Sequence, residues 1–397
     1  MMKRRSFLYG ASALTLGQLV AGCNSQQQAS LKVRLLQDSI PAQLVAEFRK
    51  ALEQSAAVNF DPEEQLQDLF TRLKAWKQQA EKKDDKPQWS IPLVGAKKTS
   101  VADLVTLGDY WLEPAIQQGL IQPLKVEGLR GWQQLPQAWQ KIVKRDRQGQ
   151  LSNTGEVWGA PYRWGTTVIA YRRDKFRDLG WTPKDWSDLW RPELRDRISI
   201  VDQPREVIGL TLKKLGRSYN TTNLSQVPNL KEELLALHQQ VKFYSSDYYL
   251  QPLALEDTWV AVGWSTDVIP MRSHDRQIDA IVPLSGTALW TDLWVQPASA
   301  SVDSNTTGTQ DQQSLIQQWI DFCWQPKPAN EISLFSNAAS PIVTTLNPAN
   351  IPQDVRENRV LLPDNSVLDK SEFLQPLPKA VDEEYQVLWK EIRTLKG

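Results

Sequence analysis

Residues 31–37, "LKVRLLQ", alternate apolar and polar side chains with a period of two, and 41–54, "PAQLVAEFRKALEQ", then space their apolar residues as a helix does. The change of period predicts a strand leading into a helix, with Pro41 in its first turn. The same succession returns along the chain. Residues 101–124, "VADLVTLGDYWLEPAIQQGLIQPL", pass from an apolar strand through Gly108 into a helix, and 165–176, "GTTVIAYRRDKF", read as a strand. In 197–216, "RISIVDQPREVIGLTLKKLG", a strand, a tight turn and a helix follow one another, with Gly216 ending the helix. Residues 258–269, "TWVAVGWSTDVI", repeat strand, turn and helix start, with Ser265 as N-cap. The charged stretch 77–90 reads as a surface loop or helix end. In 314–326, "SLIQQWIDFCWQP", Leu315, Trp319, Ile320 and Cys323 recur at helical spacing, which places Cys323 in a core. This alternation of strands and helices is the rhythm of doubly wound α/β domains.

In such folds ligands bind outside the carboxyl ends of the strands, where helices begin. Four segments bring acidic or aromatic residues to that edge: Asp109 with Tyr110, Asp202 through Glu206, Trp264 with Asp267, and Trp290, Asp292 and Trp294 within "ALWTDLWVQP" (288–297). The last segment reads as a buried strand, and alternation sends its acid and both indoles to one face. A buried carboxylate without a partner costs several kcal/mol or takes up a proton, so either an internal Arg or Lys or a ligand must meet Asp292. Indole faces beside carboxylates describe a site for an organic cation, held by charge pairing and by the ring quadrupole. The expected partner of Asp292 is therefore a ligand, whereas Asp267 reads as a helix cap or ion-pair partner.

Charge and termini change the picture in three ways. Lys and Arg number 46 and Asp and Glu 46, for a net charge of zero and no basic stripe, which argues against a nucleic-acid partner. Residues 1–22 combine a basic start, a short apolar stretch and small residues before Cys23, the layout of an export signal. Arg4 and Arg5 followed by Ser6-Phe7-Leu8 resemble the twin-arginine motif, and "LVAGC" (19–23) resembles the lipobox of bacterial lipoproteins; an ordinary secretory signal is the alternative. The lipobox resemblance implies cleavage before Cys23 and a lipid on its sulfur, with 23–30 as lipidated cysteine and polar tether and the mature protein periplasmic, anchored to the membrane. About 370 residues then remain, too many for one typical core and suited to two lobes. Acylation of Cys23 leaves Cys323 as the one thiol, so no intrachain disulfide can form, and His238 and His274 lack ligand-like spacing, which leaves no His/Cys metal site. With no nucleophile beside a base and no phosphate loop, the chain reads as a binding protein without cofactor rather than an enzyme. Glycosidases also pair carboxylates with tryptophans, but they need a general acid set across the bond.

"WSDLWRPELRDRISIVDQPREVIGLTLKKLGRSYNTT" (186–222) closely resembles the spermidine/putrescine-binding proteins of polyamine ABC importers. The likeness extends through "GDYWLEPAIQQGLIQPL", "APYRWGTTVIAY", "VAVGWS" and "LWTDLWVQP". It implies a two-lobed type II periplasmic binding protein fold closing on its ligand by a hinge, with 31–165 plus 291–335 as one lobe and 166–290 plus 336–397 as the other. It also implies a monomer that delivers a polyamine-like cation to an ABC permease. Carried over residue by residue, it makes Trp264 and Trp290 the walls around the ligand's methylene chain, pairs Asp292 with one ammonium and Glu206 with another amine, and gives Tyr110 a hydroxyl or ring contact. The family's second carboxylate falls on Gln203, beside Asp202, and three of its aromatic positions fall near Leu36, Ser39 and Ala338. Arg163 in "APYRWG" would repel a polyamine if it faced the cleft; at an alternating strand end it is expected to point to solvent. Two other functions remain open: a ferric-ion binder of the same superfamily, suggested by Tyr244, Tyr248 and Tyr249 in "FYSSDYYLQP", and an anchored scaffold that has lost its ligand.

Overall fold

The period-two stretch forms strand β1 (Ser30–Leu36), which buries Leu31, Val33 and Leu35 and leaves the positions between them partly exposed. The computed structural model describes residues 30–52, 56–84, 100–300 and 308–394. Along these, the further strands are β2 (Ala57–Glu63), β3 (Leu104–Gly108), β4 (Ile121–Gln122), β5 (Lys144–Arg145), β6 (Glu156–Val157), β7 (Ala160–Arg172), β8 (Ile198–Ile200), β9 (Val241–Tyr244), β10 (Val260–Trp264), β11 (Ile278–Ile281), β12 (Ala288–Pro297) and β13 (Glu372–Phe373). Eleven of them join in the order β2-β1-β3-β12-β7-β10-β8-β9, with β4 and β13 on β12 and β11 on β7; β5 and β6 pair separately.

The order explains the two lobes. β1, β2 and β3 are mutually parallel, as are β10, β8 and β9, and the two groups meet through antiparallel β12 and β7. β7 carries the chain across: its residues from Ala160 to Thr166 pair with β12, and those from Thr167 to Tyr171 pair with β10. All thirteen residues of β7 are buried, as expected of a strand covered on both faces. It begins five residues before the strand expected from position 165, and a helix takes over at Arg173.

Helices cover both faces. The helix Gly308–Cys323 packs on β1 and brings Trp319 against Phe48, Phe60 and Trp294, with Cys323 fully buried and its thiol pushed up by that burial. The C-terminal helix Lys379–Thr394 lies on the helices Pro204–Lys214 and Leu230–His238. Gly216 ends Pro204–Lys214 with φ +69°, as its sequence position suggests. Pro41 stands just outside the helix Ala42–Ala51 rather than in its first turn. Ser265 does not cap its helix: it is the first helical residue, and its hydroxyl accepts from the Thr166 amide of β7 at 3.1 Å.

Candidate ligand-binding site

Because side chains alternate along β7, Arg163, Gly165 and Thr167 share one face, and the residues opposite them in register share it too. Those partners are Asp292 and Trp290 of β12 and Trp264 of β10. Three neighbouring pairs thus line one face of the strand that crosses between lobes. Gly165 is required there: a Cβ would lie 2.3 Å from Cζ2 of Trp290 and 2.5 Å from Oγ of Ser265, so the indole rests directly on the backbone. Trp264 and Trp290 are both half-buried, and Nε1 of Trp290 is shielded without a hydrogen-bond partner. Trp294 does not join them. The β7–β12 register shifts between Asp292 and Leu293, and beyond that irregularity Trp294 is sealed in the core, stacked on Tyr162 at 4.2 Å.

Glu206 completes this face from the neighbouring element. It sits in the first turn of Pro204–Lys214, where the helix dipole favours negative charge, and accepts from Thr167 Oγ1 at 2.9 Å. Burial raises its carboxyl to about 7, against the lowering effects of Thr167, the Trp264 side chain and the charge of Arg205. Glu206 forms no ion pair among the described residues, so a cation beside it would supply a missing counter-charge. Asp109, at the end of β3, is also raised to about 7 by burial; it accepts from the Thr291 amide at 3.3 Å and senses the Arg145 charge.

Asp292 is different. Its Oδ2 accepts from Nε of Arg163 at 2.7 Å, and the two side chains are only 3% and 6% exposed. Arg163 therefore does not point to solvent, and the partner that the strand-borne acid needs is internal. The cause is register: the β7–β12 pairing sets residues 163 and 292 opposite each other, and the segment after Phe335 covers them, with Ser336 O accepting from Arg163 at 3.2 Å. Burial pushes the Asp292 carboxyl up, and the guanidinium opposes it.

The other expected residues are dispersed. Asp202 accepts from Trp389 Nε1 at 3.1 Å and pairs with Arg393, both on the C-terminal helix, while Gln203 donates to Ser246 Oγ at 3.2 Å. Tyr110 is 61% exposed; partial burial raises its hydroxyl, as does the charge of Asp382, while Arg205 lowers it. Asp267 accepts from Tyr249, whose hydroxyl also receives the Trp264 amide. The three tyrosines do not converge: Tyr249 is buried against Gly263, Tyr244 stacks on His238, and Tyr248 is exposed. Ser39 and Ala338 are fully buried and Leu36 partly so. Two contributors escaped sequence reasoning. Thr167 could have been found from the alternation within "RWGTT". Arg205 is the second: its guanidinium donates to Asn220 Oδ1 and Gln375 O, both at 3.0 Å, and lies over the Tyr385 ring. The expected export and lipidation residues Arg4, Arg5 and Cys23 lie outside the described residues, and among those described no helix is long and apolar enough to cross a membrane.

Two groups of parallel strands joined through antiparallel β12 and β7 are the architecture of the type II periplasmic binding protein fold. The chain belongs to the bacterial extracellular solute-binding protein family, whose model matches residues 99–370. The family comprises transport components rather than enzymes. The chain is 24% identical over 391 residues to the spermidine/putrescine-binding periplasmic protein of Salmonella typhimurium, covering 97% of this chain and 98% of that one. It is 26% identical over 316 residues to the putrescine-binding periplasmic protein of Escherichia coli, covering 74% and 79%. Among solved structures, a spermidine/putrescine ABC transporter substrate-binding protein of Streptococcus pneumoniae superposes with a TM-score of 0.73 at 19% identity, covering 92% of this chain and 99% of that one.

Proposed function

We propose that this chain captures an organic cation, a polyamine or a relative of one, between its lobes and delivers it to an ABC permease. Glu206 carries the reading: a buried carboxyl without an ion-pair partner, beside Trp264 and on the same face as Trp290, is an arrangement a cation would complete. Tyr110 contributes from the opposite lobe. The lobes are 31–165 plus 291–335 and 166–290 plus 336–397, and the mature monomer is held outside the cytoplasmic membrane through a lipid on Cys23. The polyamine-binding relatives support the solute class. Titration calorimetry and thermal shift against putrescine, spermidine and n-butylamine test it: ligand at about 100 times Kd adds roughly 2.7 kcal/mol of stability. Glu206→Gln should weaken the best ligand by at least about thirtyfold, the loss of a close charge pair. Absence of binding to every amine at millimolar concentration would favour the scaffold that lost its ligand.

A further inference from the structure

We infer that Arg163 is a specificity-determining residue: it occupies the acid at one pole of the site as a built-in counter-cation, so the cleft selects a ligand with a single charged head on an apolar body. The inference rests on the cation reading above and narrows it. A diamine gains over a monoamine only where a second carboxylate has unmet charge. Asp292 has none to offer, because its carboxylate is held at 2.7 Å by a guanidinium that is itself tied to Ser336 O, with both side chains almost wholly out of water. A second ammonium arriving there would meet like charge, and expelling the guanidinium would leave a buried cation unpaired. Asp109, the other acid on this side, already accepts from the Thr291 amide at 3.3 Å and senses the charge of Arg145. At the opposite pole Glu206 keeps a carboxyl without an ion pair, while the neighbouring Arg205 is taken up by Asn220, Gln375 and the Tyr385 ring. Between the poles lie Trp290 on Gly165 and Trp264, surfaces suited to an uncharged methylene or aromatic body.

The test compares n-butylamine with putrescine, which differ by one terminal ammonium, in the full mature chain. The wild type should bind n-butylamine at least as tightly as putrescine. Arg163→Met, which frees Asp292, should shift the ratio of affinities toward putrescine by at least about tenfold, the worth of one modest charge contact. Should that variant fail to fold, the double variant Arg163→Met with Asp292→Asn leaves no freed carboxylate, so its ratio of putrescine to n-butylamine affinity should stay within about threefold of the wild type, less than one charge contact. A wild type preferring putrescine, an unchanged ratio in Arg163→Met, or a shift of about tenfold or more toward putrescine in the double variant would each overturn the inference and leave the cation reading standing. A wild type that binds neither amine overturns both.

Discussion

Neutralising Asp292 separates an internal ion pair from a ligand contact. Asp292→Asn keeps shape and volume, and the amide oxygen can still accept one bond from Arg163. At 2.7 Å and an effective dielectric near 20, the pair's attraction is about 6 kcal/mol before desolvation. Since both side chains are under 7% exposed, the variant strands a buried guanidinium, and removing one partner of such a pair costs about 3–5 kcal/mol. Spread over a two-lobed chain of this size, that is a fall in Tm of about 4–7 °C, taking a typical unfolding entropy of about 2 cal/mol/K per residue. Chemical denaturation should move to a lower midpoint with little change in slope, while calorimetry should find n-butylamine affinity almost unaltered and putrescine binding no tighter. The opposite pattern, unchanged stability with a fall of thirtyfold or more in affinity, would refute the internal pair and make Asp292 the partner of the ligand.

Glu206 and Asp109 predict a pH dependence. Their carboxyls, raised to about 7 by burial, hold protons in the folded chain that the unfolded chain releases near 4. Stability of the ligand-free protein should therefore fall as pH rises from about 4.5 to 7, by up to about 3 kcal/mol for each group, and a flat profile of denaturation midpoints in that window would count against it. A cation beside Glu206 favours the ionised acid, so binding at pH 6 should release a proton, visible as buffer-dependent heats. Trp264→Ala and Trp290→Ala should each weaken the ligand by about 0.5–2 kcal/mol; Gly165→Ala, which drives a methyl into the Trp290 ring, should do the same and alter indole fluorescence. Cys23→Ala should abolish partitioning into detergent, and Arg4→Lys with Arg5→Lys should leave precursor in the cytoplasm if export follows the twin-arginine route.

Much was legible in the one-dimensional pattern. Period-two and helical stretches fixed the strand–helix succession from β1 onward, and local punctuation placed Gly216 at a helix end and Cys323 in a core. Because ligands in such sheets gather at strand ends, the same pattern pointed to the segments 202–206, Trp264 with Asp267, and Trp290 to Trp294, and within them the resemblance to polyamine-binding proteins pointed to Glu206, Trp264 and Trp290. What the sequence could not supply was which distant residue meets each of these. Asp292 and Arg163 are 129 positions apart, and only the β7–β12 register, with the segment after Phe335 lying over it, turns an acid that reads as waiting for a ligand into a closed pair. Asp202 is likewise taken by Trp389 and Arg393, 187 and 191 positions on, when the C-terminal helix packs on its lobe. Periodicity follows from the geometry of a single element and can be read locally. The partner of a buried charge is set by how elements stack across the whole chain, and so only the tertiary structure could decide it.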